Sequence, residues 1–323
     1  MKLLVTGGAG YIGSVVATQL LAAGHEVVVL DDLSTGHADA VPEGARFVRG
    51  SLLDPGHLLV VVGEGFDGCL HFAARSLVAE STRHPGRYWH NNVVGTRELL
   101  EALQAARVPR LVFSSTAAVY GQPETTPITE DAPARPTNPY GASKLAVDLM
   151  IGGYAQAHGL AAVSLRYFNV AGAAGHSGEC HDPETHLIPI VLQAADGRRE
   201  HVKVYGTDYP TPDGTAIRDY IHVEDLARAH LLALDAAKAG RHAVYNLGNG
   251  QGLSVRQVIE AAARVTGRPV ATVDAPRRTG DPAVLVASSR LAAAELGWVP
   301  AKPSVEDMVG SAWAWLQTTG QRR

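Results

Sequence analysis

The chain has 323 residues, of which 46% are hydrophobic and 19% charged, and its formal net charge is −4 at pH 7. This composition is ordinary for a water-soluble globular protein, and the length favours two lobes or domains. The acidic balance argues against a nucleic-acid partner, and no stretch approaches the ~20 apolar residues of a membrane helix, so we expect no membrane partner either.

The first half of the chain alternates short apolar runs with helical stretches. This alternation predicts an α/β fold with a doubly wound parallel sheet of the Rossmann type. The apolar N-terminal run is too short for a signal peptide, and Cys69 and Cys180 lie far apart, so we expect a cytoplasmic protein. The predicted strands are 3–6, 27–30, 46–49, 69–72, 111–114 and 162–167, and the predicted helices are 12–23, 91–106 and 140–158.

The pattern changes after Asn169, where turn-rich segments interrupt the alternation. We expect loops at 171–183 and 205–214, helices at 222–238, 253–266 and 305–316, and a strand at 244–247. Ser254 is a candidate N-cap of the second of these helices. The domain organisation predicted from this pattern is a dinucleotide-binding domain over 1–170, with returns from about 215–250, and a smaller C-terminal α/β lobe over 171–214 and 251–323.

Residues 6–13 read Thr-Gly-Gly-Ala-Gly-Tyr-Ile-Gly and directly follow the first predicted strand. Gly8, Gly10 and Gly13 fit the GxGxxG frame, while Gly7, Gly10 and Gly13 fit GxxGxxG. Both frames give a tight turn that lets the backbone approach a pyrophosphate at the start of a helix. An ordinary glycine turn is the alternative, but the second predicted strand ends at Leu30 and is followed by Asp31, which is placed to bind ribose hydroxyls and disfavour the extra phosphate of NADP. The segment therefore predicts NAD binding.

Tyr140 and Lys144 form a YxxxK pair that lies on one face of a predicted helix. A nearby ammonium favours the phenolate form of tyrosine, so the pair can act as an acid and base near neutral pH. YxxxK is weak by itself, because both residues are common on solvated helix faces. Three hydroxyl residues, Ser114 to Thr116, follow the fifth predicted strand, where open α/β sheets bind their ligands. A simple hydroxyl-capped turn is the alternative for that segment.

Taken together, these motifs resemble the extended short-chain dehydrogenase/reductase family, and within it the UDP-sugar 4-epimerase branch. The resemblance runs essentially from end to end, and the YPTPDGT and RDYIHV segments are its most branch-specific part. The motifs that carry it are TGGAGYIG at 6–13, LDDLSTG at 30–36, HFAA at 71–74, NNVVGT at 91–96, FSSTAAVYG at 113–121, NPYGASK at 138–144, LRYFNVAGA at 165–173, YGTDYPTPDGTAIRDYIHVEDLA at 205–227, YNLGNG at 245–250 and APRRTGDPA at 275–283.

The resemblance implies reversible 4-epimerisation of UDP-galactose and UDP-glucose through a 4-keto sugar, with tightly bound NAD as a transient hydride acceptor. In that family the tyrosine matched by Tyr140 takes the proton of the sugar 4-hydroxyl. Lys144 would tune Tyr140 and hold the nicotinamide ribose, and Thr116 matches the helper hydroxyl. The resemblance also implies a homodimer, made by the helices that begin near Asn91 and Tyr140.

Matching positions extend the implied site beyond the catalytic residues. Arginine forks suit a diphosphate, and an aspartate suits the uridine ribose. The implied cofactor-binding residues are Gly7, Gly10, Tyr11, Ile12, Gly13, Asp31, Asp32, Ser51, Leu52, Phe72, Ala73, Ala74, Asn91, Ser114, Tyr140, Lys144 and Tyr167. The implied substrate-binding residues are Thr116, Asn169, His186, Leu187, Val204, Tyr205, Arg218, Arg278 and Asp281.

The chain departs from the family pattern at a few positions. Ser51 stands where an aspartate commonly touches the adenine, Ser76 where some members carry a lysine, and His186 where some carry an asparagine. The pocket-wall position that influences acceptance of an N-acetyl sugar aligns best with Leu285. We expect no metal site, because Cys180, His181, Asp182, Glu184 and His186 fit no zinc spacing and lie in a polar loop.

Several other functions compete with this hypothesis. The enzyme could epimerise another UDP-sugar, such as a UDP-N-acetylhexosamine or a UDP-pentose. A nucleotide-sugar 4,6-dehydratase is less favoured, because Ala117 and Ala118 stand where those enzymes carry an Asp-Glu pair. A non-catalytic NAD-sensing protein conflicts with the intact set of Thr116, Tyr140 and Lys144.

Overall fold

The structure, a computed structural model, describes residues 1–278 and 280–319. Residues 320–323 of the predicted C-terminal lobe, and one residue of the 275–283 motif, lie outside the described residues. The strands are β1 (Lys2–Thr6), β2 (Glu26–Asp31), β3 (Arg46–Arg49), β4 (Gly68–His71), β5 (Arg110–Thr116), β6 (Ala161–Tyr167), β7 (Asn169–Ala171), β8 (Ala173–Ala174), β9 (Ser177–Gly178), β10 (Val202–Tyr205), β11 (Ile217–Arg218), β12 (Tyr220–His222), β13 (His242–Leu247), β14 (Leu253–Ser254), β15 (Thr272–Ala275) and β16 (Val284–Leu285).

The helices cover both faces of a central sheet and also form a group in the second half of the chain. A short 3₁₀ turn spans Ala117–Tyr120, and a π-helical segment spans Trp89–Val94. The α-helices are α1 (Tyr11–Ala22), α2 (Pro55–Val62), α3 (Val78–Arg83), α4 (Pro85–Tyr88), α5 (Gly95–Ala105), α6 (Pro139–His158), α7 (Leu187–Ala195), α8 (Val223–Ala236), α9 (Val255–Thr266), α10 (Arg290–Leu296) and α11 (Val305–Thr319).

The central sheet has seven strands in the order β13-β6-β5-β4-β1-β2-β3, and every neighbouring pair is parallel. The strand order reverses between β1 and β4, which is where open α/β sheets form a ligand crevice at the carboxyl ends of their strands. The register pairs Thr6 with His71, His71 with Phe113, and Thr116 with Tyr167. The ends of β1, β4, β5 and β6 therefore share one edge of the sheet.

Two apolar cores lie against the faces of this sheet. One contains residues of α1, α8 and α10, and the other contains residues of α2, α5 and α6. Because both faces are covered, the strands are continuous apolar runs rather than alternating ones. A third core joins α7, α9 and α11 to β10 in the second half of the chain.

The predicted α/β fold with a parallel Rossmann sheet is confirmed. The six strands predicted in the first half are present, and the strand predicted at 244–247 joins them as β13. Ser254 is the N-cap of α9, in a capping box with Gln257. Within the described residues, no helix is both long and apolar enough to cross a membrane.

Two predictions of secondary structure need correction. The helix predicted over 91–106 becomes α-helical only from Gly95, because a π-helical segment precedes it. The loop predicted over 171–183 contains the antiparallel pair β8–β9, in which Ala173 pairs with Gly178 and Ala174 with Ser177. Strands of two small residues give no apolar period, so the sequence pattern hides them.

Candidate active site

The turn between β1 and α1 packs directly against the chain that leaves β4. Gly7 has a positive φ of 73°, and a Cβ there would lie 2.4 Å from the backbone nitrogen of Ala73. A Cβ on Gly13 would lie 2.3 Å from the carbonyl oxygen of Gly7, so helix α1 approaches the turn as closely as a glycine allows. The turn therefore requires glycine at Gly7 and Gly13 for two separate steric reasons.

The N-terminus of α1 offers backbone N–H groups to an anion. Its N-cap residue, Gly10, has no side chain to cap the first turn. The positive end of a 12-residue helix dipole adds to the attraction for phosphate. The tight glycine turn, the uncapped first turn and the dipole together fit the pyrophosphate of a dinucleotide.

Asp31 lies at the end of β2 and organises the same turn. Its carboxylate accepts hydrogen bonds from the backbone N–H groups of Ala9, at 3.0 Å, and Leu33, at 2.8 Å. Burial raises the pKa of Asp31, and the two backbone hydrogen bonds oppose that rise. The carboxylate oxygens keep further lone pairs, so the residue can still accept hydrogen bonds from ribose hydroxyls.

The three hydroxyl side chains at the end of β5 point to two different sides of the strand, as strand periodicity requires. Ser114 forms a hydrogen bond with the Tyr167 hydroxyl, and the Thr116 hydroxyl lies near enough to Tyr140 to lower the pKa of that phenol. Ser115 instead donates to Asp148 at 3.2 Å, within a buried ion pair with Arg166. Ser114 and Thr116 therefore line the candidate site, while Ser115 belongs to the structural core.

Tyr140 and Lys144 project from α6 toward the same strand end. The Lys144 amine donates to the carbonyl oxygen of Ser114 at 2.7 Å and lies 4.6 Å from the centre of the Phe113 ring. Asn138 caps the helix by accepting from the backbone N–H of Gly141 at 2.9 Å. The cap and the buried amine fix the first turns of α6 against β5.

Burial moves the pKa values of Tyr140 and Lys144 in opposite directions. It raises the pKa of Tyr140, while the hydrogen bond from Thr116 lowers it in part. Burial also lowers the pKa of Lys144 to about 7, although the Asp148 carboxylate opposes the change. Strongly perturbed groups at the ligand edge of a sheet are typical of acid–base catalysis. The arrangement can therefore move a proton to and from a bound hydroxyl.

The second half of the chain contributes cationic and acidic groups. Arg218 forms an ion pair with Asp281, and its side chain is only 14% exposed. Arg278 lies over the Tyr205 ring, with its guanidinium carbon 4.1 Å from the ring centre. In the sheet register Leu285 pairs with Arg218, so the predicted pocket-wall residue lies beside the predicted diphosphate ligand.

The structure places the remaining predicted residues at several element ends. Val204 is 1% exposed and packs into the third core, so the structure does not place it on an open surface. Asn169, Leu187 and His186 lie at the start of β7, at the start of α7 and at the N-cap of α7. The other positions are Tyr11 and Ile12 in α1, Asp32 after β2, Ser51 and Leu52 after β3, Phe72, Ala73 and Ala74 after β4, and Asn91 in the π-helical segment.

Asn92, which the sequence analysis did not single out, holds the segment after β4 to helix α6. Its side chain accepts from the backbone N–H of Arg75 at 2.8 Å and donates to the Arg75 carbonyl at 3.0 Å. It also donates to Ser143, which in turn donates to the carbonyl of Tyr140. No pattern in the sequence links residues so far apart, since only the fold brings them together.

Comparisons with known proteins agree with this geometry. A model described as the NAD dependent epimerase/dehydratase family matches residues 3–248. A UDP-glucose 4-epimerase of Corynebacterium glutamicum is 56% identical over 322 residues, covering 100% of this chain and 98% of that protein. A UDP-glucose 4-epimerase of Streptomyces lividans is 60% identical over 316 residues, covering 97% and 95%. A crystal structure of UDP-glucose 4-epimerase from Brucella ovis in complex with NAD is 45% identical, with a TM-score of 0.93 and 97% of each chain covered.

Proposed function

Because the chain belongs to the NAD dependent epimerase/dehydratase family, we propose that it catalyses the reversible 4-epimerisation of UDP-galactose and UDP-glucose. The observation that carries the proposal is that Tyr140, the Thr116 hydroxyl and the buried amine of Lys144 meet at the carboxyl end of β5. Relatives that match nearly the whole chain are UDP-glucose 4-epimerases, which supports this substrate class over other family reactions.

The catalytic step needs a group that takes the proton of the sugar 4-hydroxyl. The Tyr140 phenolate accepts that proton, and the Thr116 hydroxyl holds the phenol and the sugar hydroxyl in register. Lys144 is positioned to favour the phenolate through its charge. When the 4-keto sugar is reduced again, Tyr140 returns the proton to the oxygen at C4.

The cofactor that fits this site is NAD. When bound, NAD would supply a hydride acceptor for C4 of the sugar and a hydride donor for the other face of the ketone. The turn around Gly7 and the uncapped start of α1 are suited to its pyrophosphate, and Asp31 to its adenosine ribose. The remaining predicted cofactor contacts lie at the start of α1, at or just after the ends of β2 to β6, in the π-helical segment and on α6. Since the reaction consumes no NAD overall, a resident cofactor would suffice for repeated cycles.

The substrate diphosphate is assigned to Arg218 and Arg278, whose guanidinium groups offer paired donors. Asp281, which pairs with Arg218, is assigned to the uridine ribose. The proposed pocket is completed by the remaining predicted substrate-binding residues, which are Asn169, His186, Leu187, Val204 and Tyr205. An acid after Thr116 would be needed for a 4,6-dehydratase, and Ala117 and Ala118 supply none.

The organisation of the protein follows from the same proposal. The NAD-binding domain comprises 1–170 with returns from about 215–250, and the UDP-sugar lobe comprises 171–214 and 251–323. The separate third core of α7, α9 and α11 supports this division. A homodimer formed through the helical segment around Asn91 and through α6 completes the assembly. The buried thiol of Cys69 is compatible with the reducing cytoplasm.

The decisive experiment is to incubate the purified protein with UDP-galactose, without added NAD, and to follow UDP-glucose by chromatography. Conversion is expected without added NAD, because bound NAD would be regenerated in each cycle and none would be consumed. The Tyr140→Phe variant is expected to lose about 10²-fold to 10⁴-fold in turnover while it keeps its NAD. UDP-N-acetylgalactosamine and UDP-arabinose, tested in parallel, define the substrate range.

Absence of conversion by protein that demonstrably holds NAD would refute the proposed reaction. Near-normal turnover of Tyr140→Phe would instead refute the assignment of the base and leave the reaction itself standing. Conversion of an N-acetylated substrate alone would move the assignment to a sister 4-epimerase.

A further inference from the structure

The loop between β9 and α7 brings together side chains that the proposed reaction does not use as a set. Glu179, His181 and His186 each offer a ligand atom, and these atoms all lie within 4.8 Å of one another. No metal site is expected here from the sequence, because Cys180, His181, Asp182, Glu184 and His186 fit no zinc spacing, and Glu179 is not among those candidates. The folded loop, rather than the spacing, creates the cluster.

The two imidazole rings face the same carboxylate. Glu179 contacts Nδ1 of His181, and its Oε1 atom lies 3.8 Å from Nδ1 of His186. The two ring centres are 5.2 Å apart. Ligand atoms around an ion with bonds of about 2.1 Å are separated by about 3.4 Å in a tetrahedral site, so side-chain rotations would have to bring the three residues to that spacing.

A fourth residue holds one of the rings in place. Oε1 of Glu184 lies 2.8 Å from Nδ1 of His186 and also accepts hydrogen bonds from the backbone N–H groups of Thr185 and His186. A carboxylate on the second ring nitrogen of a histidine is the usual support of a metal-binding imidazole, since it fixes the ring and raises its basicity. Nδ1 of His186 faces both Glu179 and Glu184, so an ion bound through Nε2 requires this ring to turn.

The burial of the cluster leaves a route for an ion. The Glu179 side chain is 11% exposed and the His186 side chain 43%, so the carboxylate is shielded while an ion can still enter.

We propose that Glu179, His181 and His186 bind a zinc ion, with Glu184 orienting His186 and water in the fourth position. Two histidines and one glutamate form a ligand set that zinc accepts with an open fourth position. Magnesium is not expected to bind, because it prefers a near-octahedral shell of oxygen atoms. The ion would fasten the end of the β8–β9 hairpin to the beginning of α7.

The test is a zinc titration of the full, tag-free chain after removal of metal with a chelator. Isothermal titration is expected to give one zinc per chain, elemental analysis after desalting is expected to agree, and magnesium is expected to give no heat. His181→Ala and Glu179→Gln are each expected to weaken zinc binding at least tenfold. His176→Ala, which removes an exposed histidine between β8 and β9, is the matched control and is expected to bind zinc like the parent chain.

Thermal unfolding distinguishes a loss of zinc binding from misfolding of a variant. Zinc is expected to raise the melting temperature of the parent chain and of His176→Ala, because it binds only the folded state. It is expected to leave His181→Ala unchanged, while that variant still melts cooperatively in chelator. Failure of the parent chain to bind zinc, or equal losses in His176→Ala and His181→Ala, would overturn the proposal. Neither outcome depends on the epimerase reaction.

Discussion

Lys144 is a buried cation whose position serves the site at the expense of stability. The side chain is 3% exposed, and burial lowers its pKa to about 7. In the unfolded chain a lysine keeps its proton up to about pH 10.4. The folded state therefore binds fewer protons than the unfolded state between these values, so this residue makes stability rise as the pH increases from about 7 to about 10.

We predict that Lys144→Met stabilises the cofactor-free protein by about 2 kcal/mol at pH 6.5 while it removes most of the turnover. The gain should shrink toward pH 9.5, because the parent lysine is then neutral when folded. Urea unfolding at the two pH values measures the difference. Lys238→Met, at an exposed lysine, is the control and should show no such dependence on pH. A destabilised Lys144→Met at pH 6.5 would contradict the prediction.

Thr116 affects the pKa of Tyr140, the proposed catalytic base. Its hydrogen bond lowers the pKa of Tyr140, against the rise that burial causes. In Thr116→Val the pKa of Tyr140 should rise further, so the fraction of phenolate at any given pH should fall. We predict that the alkaline-rising limb of kcat against pH moves to higher pH, with a loss of about tenfold or more at pH 7.

Ser115→Ala is the control for that experiment, because its hydroxyl donates to Asp148 on the other side of β5. Its pH profile should coincide with that of the parent chain even if its stability is lower. An unchanged profile in Thr116→Val would show that the hydrogen bond does not tune the base.

At the scale of elements, the β1–α1 turn depends on a close approach and not only on an unusual φ. Gly7 and Gly24 both have positive φ values, of 73° and 81°, but a Cβ on Gly24 meets nothing within 4 Å. Substitution of Gly24 therefore tests backbone strain alone, while substitution of Gly7 adds a steric collision. Strain alone costs about 1–2 kcal/mol for a residue with a side chain.

We predict that Gly24→Ala costs about 1 kcal/mol and leaves NAD bound. Gly7→Ala should cost several kcal/mol more or fail to fold, and any folded fraction should have lost its NAD, because the new Cβ would displace the backbone at Ala73. Urea unfolding and the NAD content of the purified variants measure the two effects. Equal losses of stability and of NAD would show that φ strain alone governs the turn.

The elements that could be predicted well from the sequence are the strands that are buried along nearly their whole length. Strands β1, β2 and β4 are covered on both faces, so each is an apolar run bounded by turn residues. Helix α7 was not predicted, since its residues Leu187–Ala195 follow a polar loop and lack a capping side chain. The π-helical segment before α5 leaves no mark in the pattern, because its hydrogen bonds differ while its composition does not.

The candidate site shows the same division between local and distant information. Tyr140 and Lys144 could be paired from the sequence because they share one helix, and the glycine turn because it is continuous. Ser115 and Thr116 point to opposite faces of β5, because side chains alternate along a strand. This alternation assigns each residue to a face only after the position of the strand in the sheet is known. The meeting of Glu179, His181 and His186 depends on a folded loop, and that of Arg218 with Asp281 on two distant segments.

At the scale of the whole molecule, helix α6 and the neighbouring π-helical segment expose large apolar side chains. Leu149 on this helix is 70% exposed, and Trp89 at the start of the neighbouring π-helical segment is 43% exposed. Large apolar side chains at these exposures are unfavourable in water, and burying them against a second copy would remove that cost. Helix α6 also carries Tyr140 and Lys144, so an interface there would brace the catalytic helix.

We therefore predict that the parent chain elutes as a dimer, with twice the mass of the 34.0 kDa chain, in size-exclusion chromatography with light scattering. Leu149→Arg should shift it to the monomer at micromolar concentration, because two buried arginines would face each other across a two-fold axis. Leu59→Arg is the matched control, since Leu59 on α2 is 51% exposed and lies outside the proposed interface. A parent chain that elutes as a monomer, or a control that dissociates equally, would exclude α6 as the dimer helix and leave the exposure of Leu149 to another explanation.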